Sequence, residues 1–511
     1  QAGAAAVVAV HLPRTHQDFL PVLLALSRRG DTFVLMSTDL QEKPLEHERN
    51  CLIVRELQPC MVIASQATLD GASACVDGSA TRVVAVEELA AEEAAEVEAV
   101  DVAALEAAPA SEPAPVSFMF TGGTTRGRCV AVTHAMFCHE HARYAECARM
   151  PPAVKVVANT SVYWGASALG QLSIALAYGG CAILCETSGA DDLREIVLAE
   201  SPGVVLGLVP DLLQMLADSP ASELPGVVGV FTWGERLPPA LAERWRGHPS
   251  AQLRELLIST EYWLALYAAP LTESGQRLLQ TVRGARTLVY SHEGQREAAA
   301  GEIGELLLAG PMVTSGYVAL AKDAESDGAA ESPFRSIGGV RYFCTRDLVR
   351  VVRGGQFEFC GRTDMTIKVK GKWVELLTVE DTLRGLRGIA DAAVLPGRHG
   401  DAPVAFVVLD GEAEQDVART AGIAQAALPR GSLLRVVPSL PRHPVTRKVD
   451  VKRLSAQAAR TEAGTWPLYP EVPPPPHISR RARKKVRDHC VWTLAAAGMA
   501  ASWDLRALLQ R

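Results

Sequence analysis

Short β-branched runs alternate with helical patterns through the first half of the chain, and that alternation limits the fold more than any single motif. "AAAVVAVHL", "DTFVLMS", "VKVVANTS", "GGCAILCE" and "GVVLGLV" read as apolar strands, with segments such as "DFLPVLLALSRRG" between them at helical spacing. Strands separated by helices pair in parallel, because each crossover helix covers a face of the sheet. An α/β fold is therefore expected. From about residue 283 the pattern shifts to short alternating strands with Gly turns, as in "RTLVYSHEG", "GEIGELLLAG", "RYFCTRDLVRVVRGGQFEFCGRTD" and "TIKVKGKWVEL". A small β-rich subdomain is expected there. A smaller α+β segment follows, with helices "LTVEDTLRGL" and "DVARTAGIAQAAL" around strands "DAAVLPG" and "APVAFVVLDG".

A chain of 511 residues is expected to hold two or three domains. Its 48% hydrophobic and 21% charged residues suit a globular enzyme with sizeable cores. A net charge of −7 gives a polyanion no general attraction, so no nucleic-acid partner is expected. No apolar run is long enough for a membrane span. The opening "QAGAAAVVAVHLPRTH" lacks a basic region before its apolar core, so it does not read as a signal peptide. The chain starts on Gln1 rather than Met, and an upstream piece is expected to have been removed or left out. The 11 cysteines show no C-x-x-C spacing, which points to reduced thiols and a cytoplasmic location.

Residues 87–115 form an acidic Ala/Glu/Pro insertion, expected to be a partly helical surface segment. "WPLYPEVPPPP" at 466–476 reads as a polyproline spacer leading to a helical extension. Three generic sites are set aside. His139-Glu140-His141 lacks the i, i+4 histidine spacing that puts two metal ligands on one helix face. No G-x-S-x-G elbow occurs, and the basic run Arg480 to Lys485 reads as a solvated helix face.

"FTGGTTRGRCVAVTH" at 120–134 has the composition of a phosphate loop, although no Gly-Lys-Ser/Thr closes it as in a P-loop. Its glycines permit close backbone approach, and Arg126 or Arg128 supplies positive charge. Taken alone, it reads equally well as an ordinary turn. Further along, Glu261 after Thr260 suits a Mg²⁺ that bridges phosphates, since this ion takes few protein oxygens. Asp347 suits ribose hydroxyls, and Lys448 could neutralise charge on rearranging phosphate oxygens.

The order of these stretches resembles the adenylate-forming (AMP-binding) superfamily, which includes nonribosomal-peptide-synthetase adenylation domains and acyl-CoA synthetases. Phe120 to Thr125 match the first half of its loop Y-T-S-G-T-T-G-x-P-K-G-V, and its Lys falls on Arg128 after a one-residue deletion. "FTWGERLPP" resembles the G-G-E-x-L motif of the acyl pocket, with Trp233, Gly234 and Glu235 in place. "GEIGELLLAGPMVTSGY", "CTRDL", "GRTDMTIKVKGKWVE" and "LPRHPVTRKVDVKRL" resemble the later motifs in their family order, so the likeness runs from residue 1 to about 455.

The resemblance implies a large N-terminal domain at 1–362, a small mobile α+β lid domain at 363–456 and a linker with a helical extension at 457–511. It implies ATP and Mg²⁺, a small carboxylic acid activated as acyl adenylate, and a thiol acceptor. That acceptor would be coenzyme A or the phosphopantetheine of a carrier-protein partner. Thr121, Gly122, Gly123, Thr124, Thr125 and Arg128 would cradle phosphate. Glu261 would hold Mg²⁺ beside Thr260, Asp347 and Arg362 would hold ribose, and Lys448 would bridge carboxylate and α-phosphate. Asp364 would be the hinge, and Gly371 would leave room for the thiol.

Several positions depart from the family. Leu257-Ile258 replace the Tyr-Gly that stacks on adenine, and Arg346 and Arg447 replace glycines. The Asp that anchors an amino acid's ammonium aligns with Ala166, so the apolar setting of Tyr163, Trp164 and Trp233 favours an acyl, aryl or keto acid. Three readings stay open: an active thiol-loading adenylase, a catalytically weak homologue serving as a binding or assembly module, and adenylation without thioester formation.

Overall fold

The structure, a computed structural model, describes residues 6–40, 43–93, 115–121, 128–186, 189–217, 224–268, 278–320, 332–352, 354–369, 372–397, 403–410, 417–442, 449–460 and 491–493. The first sheet is built around β1 (Val7–His11). β2 (Thr32–Leu35) and β3 (Met61–Ala64) flank it in parallel, and β4 (Arg82–Ala85) lies outside β3. β5 (Ser117–Phe120) adds in parallel to β2, and β6 (Cys129–Val132) returns antiparallel along β5. These strands are nearly continuous apolar runs because helices cover both faces.

Helix α1 (Phe19–Arg29) shows why the intervening segments are helical. Phe19, Leu20, Leu23 and Leu26 fall on one buried face, and Arg28 and Arg29 occupy the last turn. Gly30 stops the helix at φ +79°, donating its N–H to the carbonyls of Leu26 and Ser27. Helices α2 (Lys43–Leu57), α3 (Leu69–Val76) and α4 (Val86–Glu93) are the other helices of this part of the chain. α4 accounts for the start of the acidic insertion, and its residues 94–114 lie outside the described residues.

After α5 (His134–Cys147) the second sheet begins. β7 (Lys155–Ala158), helix α6 (Gly165–Ala177), β8 (Cys181–Leu184), β9 (Val204–Leu208), β10 (Val227–Thr232) and β11 (Gln252–Leu257) give the parallel order β8-β7-β9-β10-β11. The β-rich part does not form a separate sheet. Leu266–Ala268 pairs antiparallel with β11 and leads through Leu278–Thr281 to Gln356–Arg362, Val340–Val352 and Ile303–Ala309 in one continuous ladder. One two-residue hairpin in it is set by Gly338 and Gly339, both at positive φ (+58° and +77°), between paired Ile337 and Val340. Leu256, Leu264, Leu266, Leu306 and Leu308 belong to one core running across the join. Each fully buried side chain of this kind stabilises the fold by roughly 1.5–3 kcal/mol.

Residues from 372 on make a smaller α+β unit. Ile389–Leu395, Val404–Leu409 and Leu433–Val436 form a three-stranded sheet against helices Leu376–Arg384 and Val417–Ala427. Its core of Leu376, Leu383, Val394, Val407 and Ala424 is its own. Ion pairs link it to the large part: Arg236 to Asp381 at 3.1 Å and Arg442 to Asp211 at 3.2 Å. One expectation is corrected in the tail. Val491–Thr493, read as helical, is a strand antiparallel to β8, where β-branched and aromatic residues meet an unpaired strand edge. The polyproline spacer and the rest of the extension lie outside the described residues. Among the described residues no helix is long and apolar enough to cross a membrane.

Candidate active site

The Gly/Thr stretch connects β5 to β6, whose antiparallel pairing runs to Phe120–Cys129. Two hydrogen bonds close its neck. Thr121 N–H donates to the Arg128 carbonyl at 2.9 Å, and Arg128 N–H donates to Thr121 Oγ1 at 3.0 Å. Gly122, Gly123, Thr124 and Thr125 lie outside the described residues. Behind the neck, β6 is stitched to the segment 314–318. Thr314 Oγ1 donates to the Ala131 carbonyl at 2.6 Å, and Val318 N–H donates to the Cys129 carbonyl at 2.8 Å.

That stitching brings three distant side chains together. Glu261 sits in a tight turn where Ser259 Oγ accepts the Glu261 N–H (3.2 Å) and the Tyr262 N–H (3.3 Å), with Thr260 at the bend. Tyr317 donates its hydroxyl to Glu261 Oε1 at 2.8 Å. The Arg128 guanidinium stacks on the Tyr317 ring, 4.1 Å from its centroid, and lies 3.7 Å from Glu261 Oε1. Burial and the Glu261 charge push the Tyr317 phenol well above its ordinary pKa, so it remains a donor.

The next residue in the chain opens a second cluster. Tyr262 is buried and donates its hydroxyl to Asp347 Oδ2 at 3.0 Å, while Arg362 Nη1 donates to Asp347 Oδ1 at 3.0 Å. Thr345 Oγ1 accepts the Asp347 N–H at 3.0 Å and fixes the start of that carboxylate's turn. Thus Arg128, Glu261, Asp347 and Arg362, four of the residues singled out from the sequence, lie in two adjoining clusters. Tyr262 and Tyr317, which the motif reading left without a role, join them.

A magnesium ion fits the donor set at Glu261. Its carboxylate is a hard oxygen ligand with a side chain 13% exposed, and the loose Arg128 pair beside it, itself 51% exposed, can give way.

Arg346 adopts φ +65°, the left-handed region that favours the glycine its motif carries elsewhere. Its N–H is held by Glu305 Oε1 at 3.0 Å, and its charge reaches the Tyr317 phenol. Replacing it with glycine removes roughly 1–2 kcal/mol of left-handed strain. The more flexible unfolded chain offsets roughly 0.5–1 kcal/mol of that gain. Arg346→Gly is therefore expected to raise stability by about 0.5–1 kcal/mol, read as a higher denaturant midpoint with an unchanged slope.

The acyl-pocket candidates surround the start of α6. Trp233 is buried, donates Nε1–H to Ser167 Oγ at 3.2 Å, and lays its indole edge over Gly207. A Cβ on Gly207 would stand 2.3 Å from Trp233 Cη2, so only glycine fits there. Gln171 is fully buried below and holds Asn159 Oδ1 (2.9 Å), the Gly207 carbonyl (2.7 Å) and the Thr160 N–H (3.0 Å). Trp164 caps α6 with Ala166 in its first turn, and Gly234 is left-handed at φ +83° ahead of Glu235.

One side chain here had no signal in the sequence. Arg49 comes from α2, lies over the Tyr163 ring 4.2 Å from its centroid, and donates Nη2–H to the Tyr163 carbonyl at 2.9 Å. Burial lowers its pKa to about 10, and its buried Nη1 has no hydrogen-bond partner among the described residues. It lines a small cavity with Phe118, Met119, Phe120, Val162 and Gly165.

Lys448 and Gly371 lie outside the described residues, and Asp364 falls in the short turn Thr363–Met365. The neck of the Lys448 segment is described. Arg442 and Val449 form an antiparallel bridge, and Arg442 pairs with Asp391 at 2.6 Å and with Asp211, with the charge of Glu235 nearby. The segment therefore starts beside the Trp233–Glu235 motif.

A family described as AMP-binding enzyme matches residues 1–318. Tyrocidine synthase 3 of Brevibacillus parabrevis is 27% identical over 311 residues, or 58% of this chain and 5% of its own length. The chain thus spans about a twentieth of that curated relative. Among solved structures, ATP-bound MatB from Rhodopseudomonas palustris superposes with a TM-score of 0.69 at 20% identity over 88% of each chain. Holo-AB3403, a four-domain nonribosomal peptide synthetase bound to AMP and glycine, gives 0.69 at 21% identity over 91% of this chain and 33% of its own. At such identities these structures establish a shared mixed α/β fold.

Proposed function

Because the chain belongs to the AMP-binding enzyme family, we propose that it activates a carboxylic acid with ATP and passes the acyl group to a thiol. The observation that carries this reading is the meeting of Arg128, Glu261 and Tyr317 with Asp347, Arg362 and Tyr262. Cations and hard oxygen ligands from four separate stretches stand where a nucleotide could span them.

In the reaction, a carboxylate oxygen attacks the α-phosphorus of ATP and the bond to pyrophosphate breaks. A thiolate then attacks the acyl carbon, and AMP leaves. The protein's task is to hold anions in line and offset their charge. Arg128 moves from Glu261 to phosphate, which frees the carboxylate to hold Mg²⁺; that ion, when bound, neutralises phosphate charge. Tyr317 keeps Glu261 Oε1 in place during the exchange. Asp347, already fixed by Tyr262 and Arg362, accepts the ribose hydroxyls. Lys448 bridges substrate carboxylate and α-phosphate. Residues 363–456 form the lid about Asp364, with Gly371 on the thiol's path. The acid is acyl, aryl or keto, since Ala166 offers no carboxylate for an ammonium group and Trp233 closes the pocket with an apolar ring. The acceptor is coenzyme A or a carrier's phosphopantetheine.

A second reading, a catalytically weak binding module, is favoured by one observation: Arg346 puts strain and bulk beside Tyr317 where the motif has glycine. Pyrophosphate-to-ATP isotope exchange with a panel of aryl, keto, fatty and amino acids separates the two. Exchange with one acid class supports the enzyme and identifies its substrate. No exchange, together with no ATP binding by calorimetry, overturns it in favour of the module.

A further inference from the structure

Three donors converge on α2 and α3, two helices that pack against the first sheet. His47 and Cys51 are spaced i, i+4 on α2, and Cys75 reaches them from α3. One donor atom from each lies within 4.8 Å of the others, and among the described residues no other three His, Cys, Asp or Glu side chains gather so closely. Taking Nδ1 of His47 as the ligand, the sulfurs of Cys51 and Cys75 stand 3.9 and 3.6 Å from it. A tetrahedral ion with bonds of about 2.3 Å to sulfur and 2.0–2.1 Å to nitrogen needs about 3.6 Å along that edge. Those two edges therefore need at most a few tenths of an ångström of adjustment, and the two sulfurs lie within 4.8 Å of each other.

The surroundings suit a bound ion better than a chance contact. His47 is exposed, Cys51 half-buried and Cys75 buried, so the cluster grades from solvent inward and an entry path exists. The two helices are fixed beneath it. Ile53 and Val54 of α2 pack with Ala72 of α3 and with β1 and β3 in one small core. One turn along α2, Asn50 accepts the Ser37 N–H at 3.0 Å and donates to the Ser37 carbonyl at 2.8 Å, which helps set the helix's rotation. Glu46, the nearby carboxylate, is occupied by Ser37, the Leu40 N–H and Lys43, which leaves the His/Cys/Cys set as the available ligands.

We propose that His47, Cys51 and Cys75 bind one thiophilic divalent cation of the Zn²⁺ class, with solvent in the fourth position, clasping α2 to α3. Two sulfurs and an imidazole select a soft or borderline ion over Mg²⁺, so the site is chemically distinct from that at Glu261. The clasp stabilises the folded chain by mass action, since the unfolded chain does not hold the three donors together.

The test uses the full chain, reduced and stripped with a chelator, and then given Co²⁺ alone. One Co²⁺ per chain should bind with the intense visible bands of a tetrahedral ion and a sulfur-to-metal charge-transfer band, and Zn²⁺ should displace it. Zn²⁺ should also raise the unfolding temperature. Because His47 is exposed, His47→Gln should leave the fold intact by circular dichroism while weakening Zn²⁺ by more than about tenfold in competition with a chromophoric chelator. Cys51→Ser and Cys75→Ser should each reduce the charge-transfer intensity. Absence of that band in the reduced chain, a band unchanged in both cysteine variants, or a Cys51–Cys75 disulfide under reducing conditions would each overturn the proposal.

Discussion

Lys448→Ala should lower pyrophosphate-to-ATP exchange by about 10²–10³-fold, the usual loss when one donor aimed at transition-state charge is removed. Unfolding temperature should not move, because the Arg442 pairs with Asp211 and Asp391 are left unchanged. ATP binding by calorimetry should change far less than exchange, since the interaction is strongest as charge rearranges at the α-phosphate. Arg447→Ala removes the same charge from the adjacent position and is the matched control. A small effect at Arg447 with a large one at Lys448 identifies a positioned group. Equal losses would mean that the segment acts only through its net positive charge, and the role given to Lys448 would be wrong.

Glu140→Gln should markedly change the pH dependence of stability. Glu140 is fully buried on α5, where the Tyr144 hydroxyl donates to Oε1 at 2.8 Å, and burial outweighs that bond and the Leu264 backbone to push its pKa up to about 7. The folded chain therefore keeps a proton that the unfolded chain releases near 4.5. Where the folded state binds more protons, stability falls as pH rises, here between about 4.5 and 7. Converted at 1.36 kcal/mol per unit, that window is worth about 3 kcal/mol. Glutamine carries no such penalty, so the variant should gain about 3 kcal/mol on the wild type between pH 4.5 and 7 and hold that gain above it. Glu380, also raised to about 7 by burial, keeps part of the slope in both proteins. His141, lowered to about 4, contributes with the opposite sign in both. Parallel denaturation curves for variant and wild type across pH 5 to 8 would show that Glu140 titrates as an exposed acid.

Strand-helix alternation made the class of fold legible, because parallel pairing is a local consequence of helices between strands. The joining of the parallel and β-rich parts into one sheet was not legible. It depends on Leu266–Ala268 accepting β11 as an antiparallel neighbour, a tertiary choice that no window of sequence expresses. The motif residues around Glu261 and Asp347 were named from a pattern of letters, but Tyr262 and Tyr317 gained a role only when their hydroxyls were found on those carboxylates. Tyr317 had a signal, since it ends the "TSGY" stretch. Arg49 had none: its segment is remote in sequence from Tyr163, and its cationic head meets an aromatic ring only through packing of α2. The His47, Cys51 and Cys75 cluster was hidden for the same reason, since a search for C-x-x-C spacing cannot register a donor supplied by a neighbouring helix. At Arg346 the motif did point to a glycine position, and its left-handed backbone agrees with that reading.

The indole of Trp233 and the bare backbone of Gly207 make a lock-step pair, and this constrains how such a chain can diversify. With tryptophan at 233, any side chain at 207 collides; with a smaller residue at 233, the glycine leaves a void. Position 207 cannot drift while the ring stays, so the order of substitutions matters as much as their identity. A lineage acquiring the ring had to possess the glycine already, and one seeking a roomier pocket must surrender the ring first. Ancestral chains at this site should accordingly fall into a few discrete combinations rather than a continuum.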